Sequence, residues 1–310
     1  MDNTRTTFLA SMIVIGFGVL WGFYWLPLRK IDALGLIGPW GTVSIMIVAV
    51  VCLLPWGWTG RKTLFSSHPM AIASLILGGC SLMFYSLGLL YGRVAIIVIL
   101  FYLTPVWSTL IGRYLLGWPI TWPRVAALLA GVTGLVLMLG ADGEVPLPRG
   151  LGEWLGLASG FCWAVASIGI KVKSTAGTKE STFVFAVGAL LGGLILSPAL
   201  APLPDAAKLT DPFAVVFWVV FTGALWWVVS IIGLLWATTK LEPARLGILL
   251  MSEVLVSVVS AAVIAKELFS VTELIGGTLV LLAGVLEFLP ARRSRRLASH
   301  ASATRDVHRQ

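Results

Sequence analysis

The chain has 310 residues, 58% of them hydrophobic and 12% charged, and a mean hydropathy of +0.96. These values exclude a water-soluble domain and put the chain in the membrane class. The formal charge of +8 would fit a nucleic-acid partner only if it lay on a soluble surface, and the apolar stretches leave almost no chain to build one.

A membrane-crossing helix needs about 20 mainly apolar residues. Ten stretches qualify: 8–28, 37–58, 70–91, 94–116, 122–140, 151–170, 181–201, 213–236, 244–265 and 272–290. The first is longer than the apolar core of a signal peptide and lacks a small-x-small cleavage site, so it is expected to remain as a span. In lipid nothing apolar drives helices together, so small and polar residues mark the sides that face protein. Span 1 offers Gly18, Trp21, Gly22 and Trp25 along one stripe, and span 3 offers Gly78, Ser81, Tyr85 and Gly88.

Span 4 carries Tyr102, Pro105 and Thr109 on one side, with Phe101, Thr104 and Ser108 beside them. Pro105 is expected to kink this span and serve as a hinge, because a mid-span proline frees a backbone carbonyl that protein or cavity water must satisfy. Span 6 has Gly156, Ser159, Trp163 and Ser167; span 8 has Gly223, Trp226, Trp227 and Ser230. Gly156 with Gly160, and Gly188 with Gly192, repeat the G-x-x-x-G spacing of close helix packing. Helix packing alone accounts for any one stripe as well as a transport path does.

Span 9 holds Ser252, Glu253, Ser257 and Ser260. Glu253 is the sharpest residue of the chain, the one acidic side chain in the interior third of a span. Ionisable groups at that depth face a cavity or a partner and mark substrate or proton paths. The alternative is a neutral, protonated acid that bonds a neighbouring helix.

Tryptophans at span ends, Trp40, Trp56, Trp58, Trp118, Trp122, Trp154 and Trp218, read as the interfacial belt. Trp21, Trp107, Trp163, Trp226 and Trp227 lie deeper, where each indole N–H needs a partner within the protein. With Tyr85 and Tyr102 they point to a wide aromatic cavity. Cys52, Cys80 and Cys162 have no C-x-x-C spacing and imply neither a disulfide framework nor a metal site. No cofactor is expected. His68, His300 and His308 lie outside the spans, which disfavours a histidine proton relay.

With the N-terminus in the cytoplasm, 16 of the 22 Lys and Arg residues fall on the cytoplasmic side and six on the other, the positive-inside bias. The tail run Arg292, Arg293, Arg295 and Arg296 anchors the last span, and the basic tail, 291–310, is expected to be disordered. Nucleic acid is not expected as a partner. The lipid bilayer is, and the sequence leaves the oligomeric state open, a monomer included.

The second half repeats the first. Gly18, Trp21 and Arg29 match Gly160, Trp163 and Lys171 at an offset of 142 residues, and Thr104 meets Ser252 at 148. Arg29 and Lys171 are expected to snorkel toward the interface. The expected units are 1–143 and 144–290. Five spans per unit force the second to insert upside down, and such repeats place a substrate site where they meet. The fold expected is all-α, ten transmembrane helices as two inverted five-helix repeats around a central cavity.

Trp21-Gly22, Gly88-Leu89-Leu90, Thr104-Pro105-Val106 and the closing pattern of Gly276 to Gly284 together resemble the drug/metabolite transporter superfamily, EamA type, over residues 8–290. Within it, Tyr102-x-Thr104-Pro105-Val106 and Met251-Ser252-Glu253-Val254 are similar to the YddG-type aromatic amino acid exporters. The resemblance implies a bacterial inner membrane, both termini cytoplasmic, and export of aromatic or other neutral amino acids. Small multidrug exporters carry a glutamate in their first span, where this chain has Trp21-Gly22-Phe23-Tyr24, so their proton antiport does not carry over.

The expected mechanism is alternating access, with proton coupling or uncoupled facilitation both open. Trp21, Tyr85, Tyr102 and Trp163 are the expected substrate-binding walls, and Ser252 with Glu253 the acceptors of an α-ammonium group. The alternative is an exporter of cationic drugs or other small metabolites, for which cation–π attraction would serve equally well. Catalysis is not expected: the sequence has no H-E-x-x-H, no intramembrane Asp pair and no base near Ser252 or Ser257. A channel would need charged rings or ordered carbonyl loops, and neither is seen.

Overall fold

The structure is a computed structural model and describes residues 2–117, 122–141, 146–173, 177–238 and 240–287. The tail expected to be disordered and the belt residue Trp118 lie outside the described residues. Every regular element among the described residues is helical.

Span 1 is built from two helices, α1 (Asp2–Gly22) and α2 (Trp25–Ala33). Pro27 causes the break: it has no N–H for the Phe23 carbonyl and its ring crowds that oxygen. Leu26 N–H bonds Phe23 O instead, at 3.0 Å. The span therefore runs on to Ala33, past the expected end at residue 28.

Spans 2 and 3 are α3 (Pro39–Thr59) and α5 (Pro69–Tyr91), linked by the short α4 (Arg61–Ser66). Each long helix opens on proline in its first turn, where a missing N–H leaves no bond unmade. Span 4 is also broken, into α6 (Val94–Phe101) and α7 (Thr104–Tyr114), and span 5 is α8 (Trp122–Leu139). Spans 6 and 7 are α9 (Leu151–Lys173) and α10 (Thr178–Leu200). Span 8 runs from α11 (Pro212–Thr222) through a π-helical stretch, Gly223–Val229, into α12 (Ser230–Thr238). Spans 9 and 10 are α13 (Pro243–Val263) and α14 (Val271–Glu287). Among the described residues nine helices are long and apolar enough to cross a membrane, and a tenth apolar stretch, Val271–Leu286, is shorter.

The packing follows a two-fold axis. α1 lies along α13, and α6 with α7 lies along α9, so span 1 against span 9 is answered by span 6 against span 4. α8 pairs with α14 and α3 with α10, pairings that such an axis maps onto themselves. The repeat-matched glycines serve the same end: a methyl group on Gly18 would collide with Ser252 of α13, and one on Gly160 with the carbonyls of Leu100 and Phe101. The G-x-x-x-G pairs are close-approach points as well, Gly156 against Ile97, Gly188 against Ile76 and Gly192 against Cys80.

The two ends of the bundle differ in tightness. Every residue of α6 from Val94 to Leu100 is buried, whereas α7, beyond the break, buries Val106, Thr109 and Gly112. The end that holds the start of α6, opposite the N-terminus, is thus the sealed one. We call it the far end.

Candidate functional site

Pro105 sets the geometry of the seam. Its ring displaces the Phe101 carbonyl, and the chain takes a turn at Tyr102–Leu103 before α7 resumes. Thr104 Oγ1 donates to the freed Phe101 oxygen at 2.7 Å, so the kink leaves no orphan acceptor. The turn points the Tyr102 side chain across the seam.

There it meets Glu253, the central residue of α13. Tyr85, from α5, donates its hydroxyl to Glu253 Oε1 at 3.1 Å, and Tyr102 donates to Oε2 at 3.0 Å. The Tyr102 hydroxyl also lies 3.2 Å from the Leu250 carbonyl, so one proton serves two acceptors. Both tyrosines belong to the first half and the carboxylate to the second. An ionised carboxylate accepts up to four hydrogen bonds, so two phenols satisfy part of its capacity and leave lone pairs for a third donor.

Rings continue the site on both sides. Phe101 stands between Tyr85, at a centroid distance of 4.9 Å, and Tyr102, at 5.7 Å. From Phe101 the contacts run to Trp163 at 6.2 Å, Phe185 at 5.8 Å, Trp227 at 6.4 Å and Trp21 at 6.1 Å. This arc draws on six spans and joins the repeat-matched Trp21 and Trp163. Trp21, Phe101, Tyr102, Trp163, Ser252 and Glu253 are half-buried although they face into the bundle, while Tyr24, Tyr85 and Trp227 are sealed beneath them.

Polar bonds fix three of the deep tryptophans, Trp21, Trp226 and Trp227. Trp227 Nε1 donates to the Tyr24 hydroxyl at 3.0 Å, Tyr24 meets Ser86 at 3.1 Å, and Ser86 donates to Leu82 O at 2.8 Å. Since the Ser86 hydrogen is committed to Leu82, Tyr24 is the donor to Ser86. Trp226 Nε1 donates to the Leu20 carbonyl at 2.9 Å, next to the break in span 1, and Trp21 Nε1 donates to Ser230 at 3.0 Å. The buried N–H of Trp107 has no acceptor among the described residues.

Ser252 sits beside the carboxylate in sequence but spends its hydroxyl hydrogen on Leu249 O at 2.8 Å and packs against Gly18. The structure therefore brings Tyr85, Tyr102 and Glu253 together, with Trp163 and Trp21 along the arc and Ser252 at its edge. Sequence reasoning missed Tyr24 and Phe185. Tyr24 left a signal, a tyrosine three residues before a proline inside the span, Pro27, whereas Phe185 stands in an apolar run without one. A separate apolar hollow of about 280 Å³, lined by Val271, Leu274, Ile275, Thr278 and Leu279, lies on the outer side of α14, where Leu274 and Ile275 are exposed.

Arg29, expected to snorkel, is tied down at the far end by the carbonyls of Leu89 and Gly92. The Lys171 side chain lies outside the described residues.

The sequence matches the EamA-like transporter family twice, over residues 8–140 and 150–288, one match for each half. No curated protein matches. Fifteen chains of solved structures do; one crystal structure of a protein aligns over 94% of this chain and 98% of its own, at 18% identity with a TM-score of 0.55. That likeness is one of fold.

Proposed function

The chain belongs to the EamA-like transporter family, and from that premise we propose that it exports aromatic and other neutral amino acids by alternating access. On this reading it lies near the YddG-type exporters, which the Tyr102-x-Thr104-Pro105-Val106 and Met251-Ser252-Glu253-Val254 segments support, and works in a bacterial inner membrane with both termini in the cytoplasm. The observation that carries the reading is the seam carboxylate, Glu253, held by Tyr85 and Tyr102 at 3.1 and 3.0 Å beside the ring arc. An α-ammonium group would take the unused lone pairs of Glu253 or displace a phenol. An aromatic side chain would lie along Phe101, Trp163 and Trp21, gaining stacking as well as apolar burial. Rocking of the two halves about the breaks in spans 1 and 4 would then expose the site to each side in turn.

One observation favours a second reading, export of amines that lack a carboxylate. Among the described residues, no lysine, arginine or histidine joins the seam to meet a substrate carboxylate, while the rings and Glu253 suit a bare cation. Counterflow in reconstituted vesicles decides between them. Exchange of phenylalanine and threonine supports the amino acid reading, exchange of phenethylamine alone supports the amine reading, and exchange of neither overturns both.

A further inference from the structure

The far end is held shut by charge. Arg29, on α2, donates to the carbonyls of Leu89 at 3.3 Å and Gly92 at 2.8 Å, and lies 3.8 Å from Glu267. Glu267 follows α13 and also accepts from the backbone N–H groups of Val94 at 2.7 Å and Ala95 at 3.3 Å, the free donors at the start of α6. Arg93 pairs with Glu273 of α14 and donates to the Leu268 carbonyl. Glu273 is itself fixed by Ser270, whose N–H it accepts at 2.9 Å.

Every one of these bonds crosses between halves except those that orient a partner within its own half. Both carboxylates come from one loop and helix start, where Lys266, at a φ of 55°, turns the chain so that Glu267 points back at α6. Side chains of Glu267 and Glu273 are 9% and 11% exposed and those of Arg29 and Arg93 33% and 38%, so the carboxylates are shielded while solvent and salt still reach the guanidinium groups.

The two-fold axis does not extend to this feature. The offset of 148 residues that matches Thr104 to Ser252 puts the loop 264–270 opposite 116–122, and that segment, Leu-Gly-Trp-Pro-Ile-Thr-Trp, has no acidic residue. The basic matches exist at the other end, Lys171 for Arg29, but the carboxylates do not. A device present at one end of a two-fold molecule makes its two facing states unequal in energy.

We propose that Arg29–Glu267 and Arg93–Glu273 form a one-sided latch, which must break for the far end to open and which biases the resting protein toward the conformer closed there. In the orientation proposed above this is the outer end, so the empty site rests facing the cytoplasm. The bias sets where substrate is most readily loaded. It cannot by itself drive uphill export, since an uncoupled carrier ends at equal concentrations whatever the energies of its states.

The test measures the far end directly and needs no substrate. Spin labels go at Ile37, in the first half, and Val271, in the second, both exposed, with the three native cysteines replaced by alanine. In Glu267→Gln/Glu273→Gln the long-distance population should rise at least about fivefold, as the loss of two ion pairs predicts. Raising salt from about 0.05 to about 1 M should move the parent the same way. The swapped pair Arg93→Glu/Glu273→Arg should restore the short distance, and Glu180→Gln, at the other end, should leave it unchanged. If the double variant keeps the parent's distances, or fails to fold while salt leaves the parent unmoved, the latch is overturned. Neither result depends on which solute the protein carries, so the transport reading stands or falls apart from it.

Discussion

Thr104 donates its hydroxyl hydrogen to the carbonyl oxygen of Phe101 at 2.7 Å, three residues back along the chain. The bond repairs what Pro105 breaks, because the proline removes the carbonyl's usual partner in a place where no bulk water can replace it.

Thr104→Val keeps the shape of the side chain and removes the donor. An orphaned buried acceptor costs about 1–3 kcal/mol, so the variant should melt earlier in detergent, and Thr104→Ser should recover most of the loss. Equal melting of Val and Ser variants would show that the carbonyl finds another donor.

Glu253→Gln retains the size of the side chain and loses the charge. Counterflow of phenylalanine should fall by at least about tenfold, the equivalent of one hydrogen bond to a charged group. The measurement is initial counterflow rate in vesicles of matched protein content. Parent-like rates in both this variant and Trp163→Ala would remove the seam as the binding site.

Tyr24→Phe cuts a relay, leaving the Trp227 N–H without its acceptor and Ser86 without its donor. Both groups are buried, so a loss of about 1–3 kcal/mol is expected. A double-mutant cycle with Ser86→Ala, read by thermal melting, should give a coupling of about 0.5 kcal/mol or more. Additive losses would mean the two hydroxyls act separately.

Gly18→Ala and Gly160→Ala ask the same question of the two halves and should give different answers. The methyl on Gly18 meets the Ser252 hydroxyl first, a group that can rotate, whereas the methyl on Gly160 meets two backbone carbonyls of span 4. Overpacking costs about 1–3 kcal/mol, with Gly160→Ala the more destabilised by thermal melting. The reverse order would mean that α9 can slide away from span 4 more easily than α1 can from α13.

The sequence made some of this plain. Span lengths came from apolar runs, since a bilayer fixes the length of helix it accepts. The kink at Pro105 and the isolation of Glu253 followed from one residue each. Pro27 passed unread because it stands near the end of an apolar stretch, where proline is common; only the Phe23–Tyr24 turn reveals that the span continues. Ser252 was placed at the site by its neighbour in sequence, but successive residues on a helix point about 100° apart, and its hydroxyl turned to its own backbone. The far-end pairs join residues more than 170 positions apart, and periodicity within a helix holds no trace of them.

Glu253 lies halfway along α13, with ten residues of Pro243–Val263 on either side. A carboxylate at that depth stays near mid-field while the halves rock about it, so the unloaded carrier moves little charge across the membrane potential. A zwitterionic amino acid adds no net charge, and its flux should be insensitive to voltage. A bare amine carries one elementary charge across, worth about 2.3 kcal/mol per 100 mV, so the electrical behaviour of the cycle reports the chemistry of its cargo.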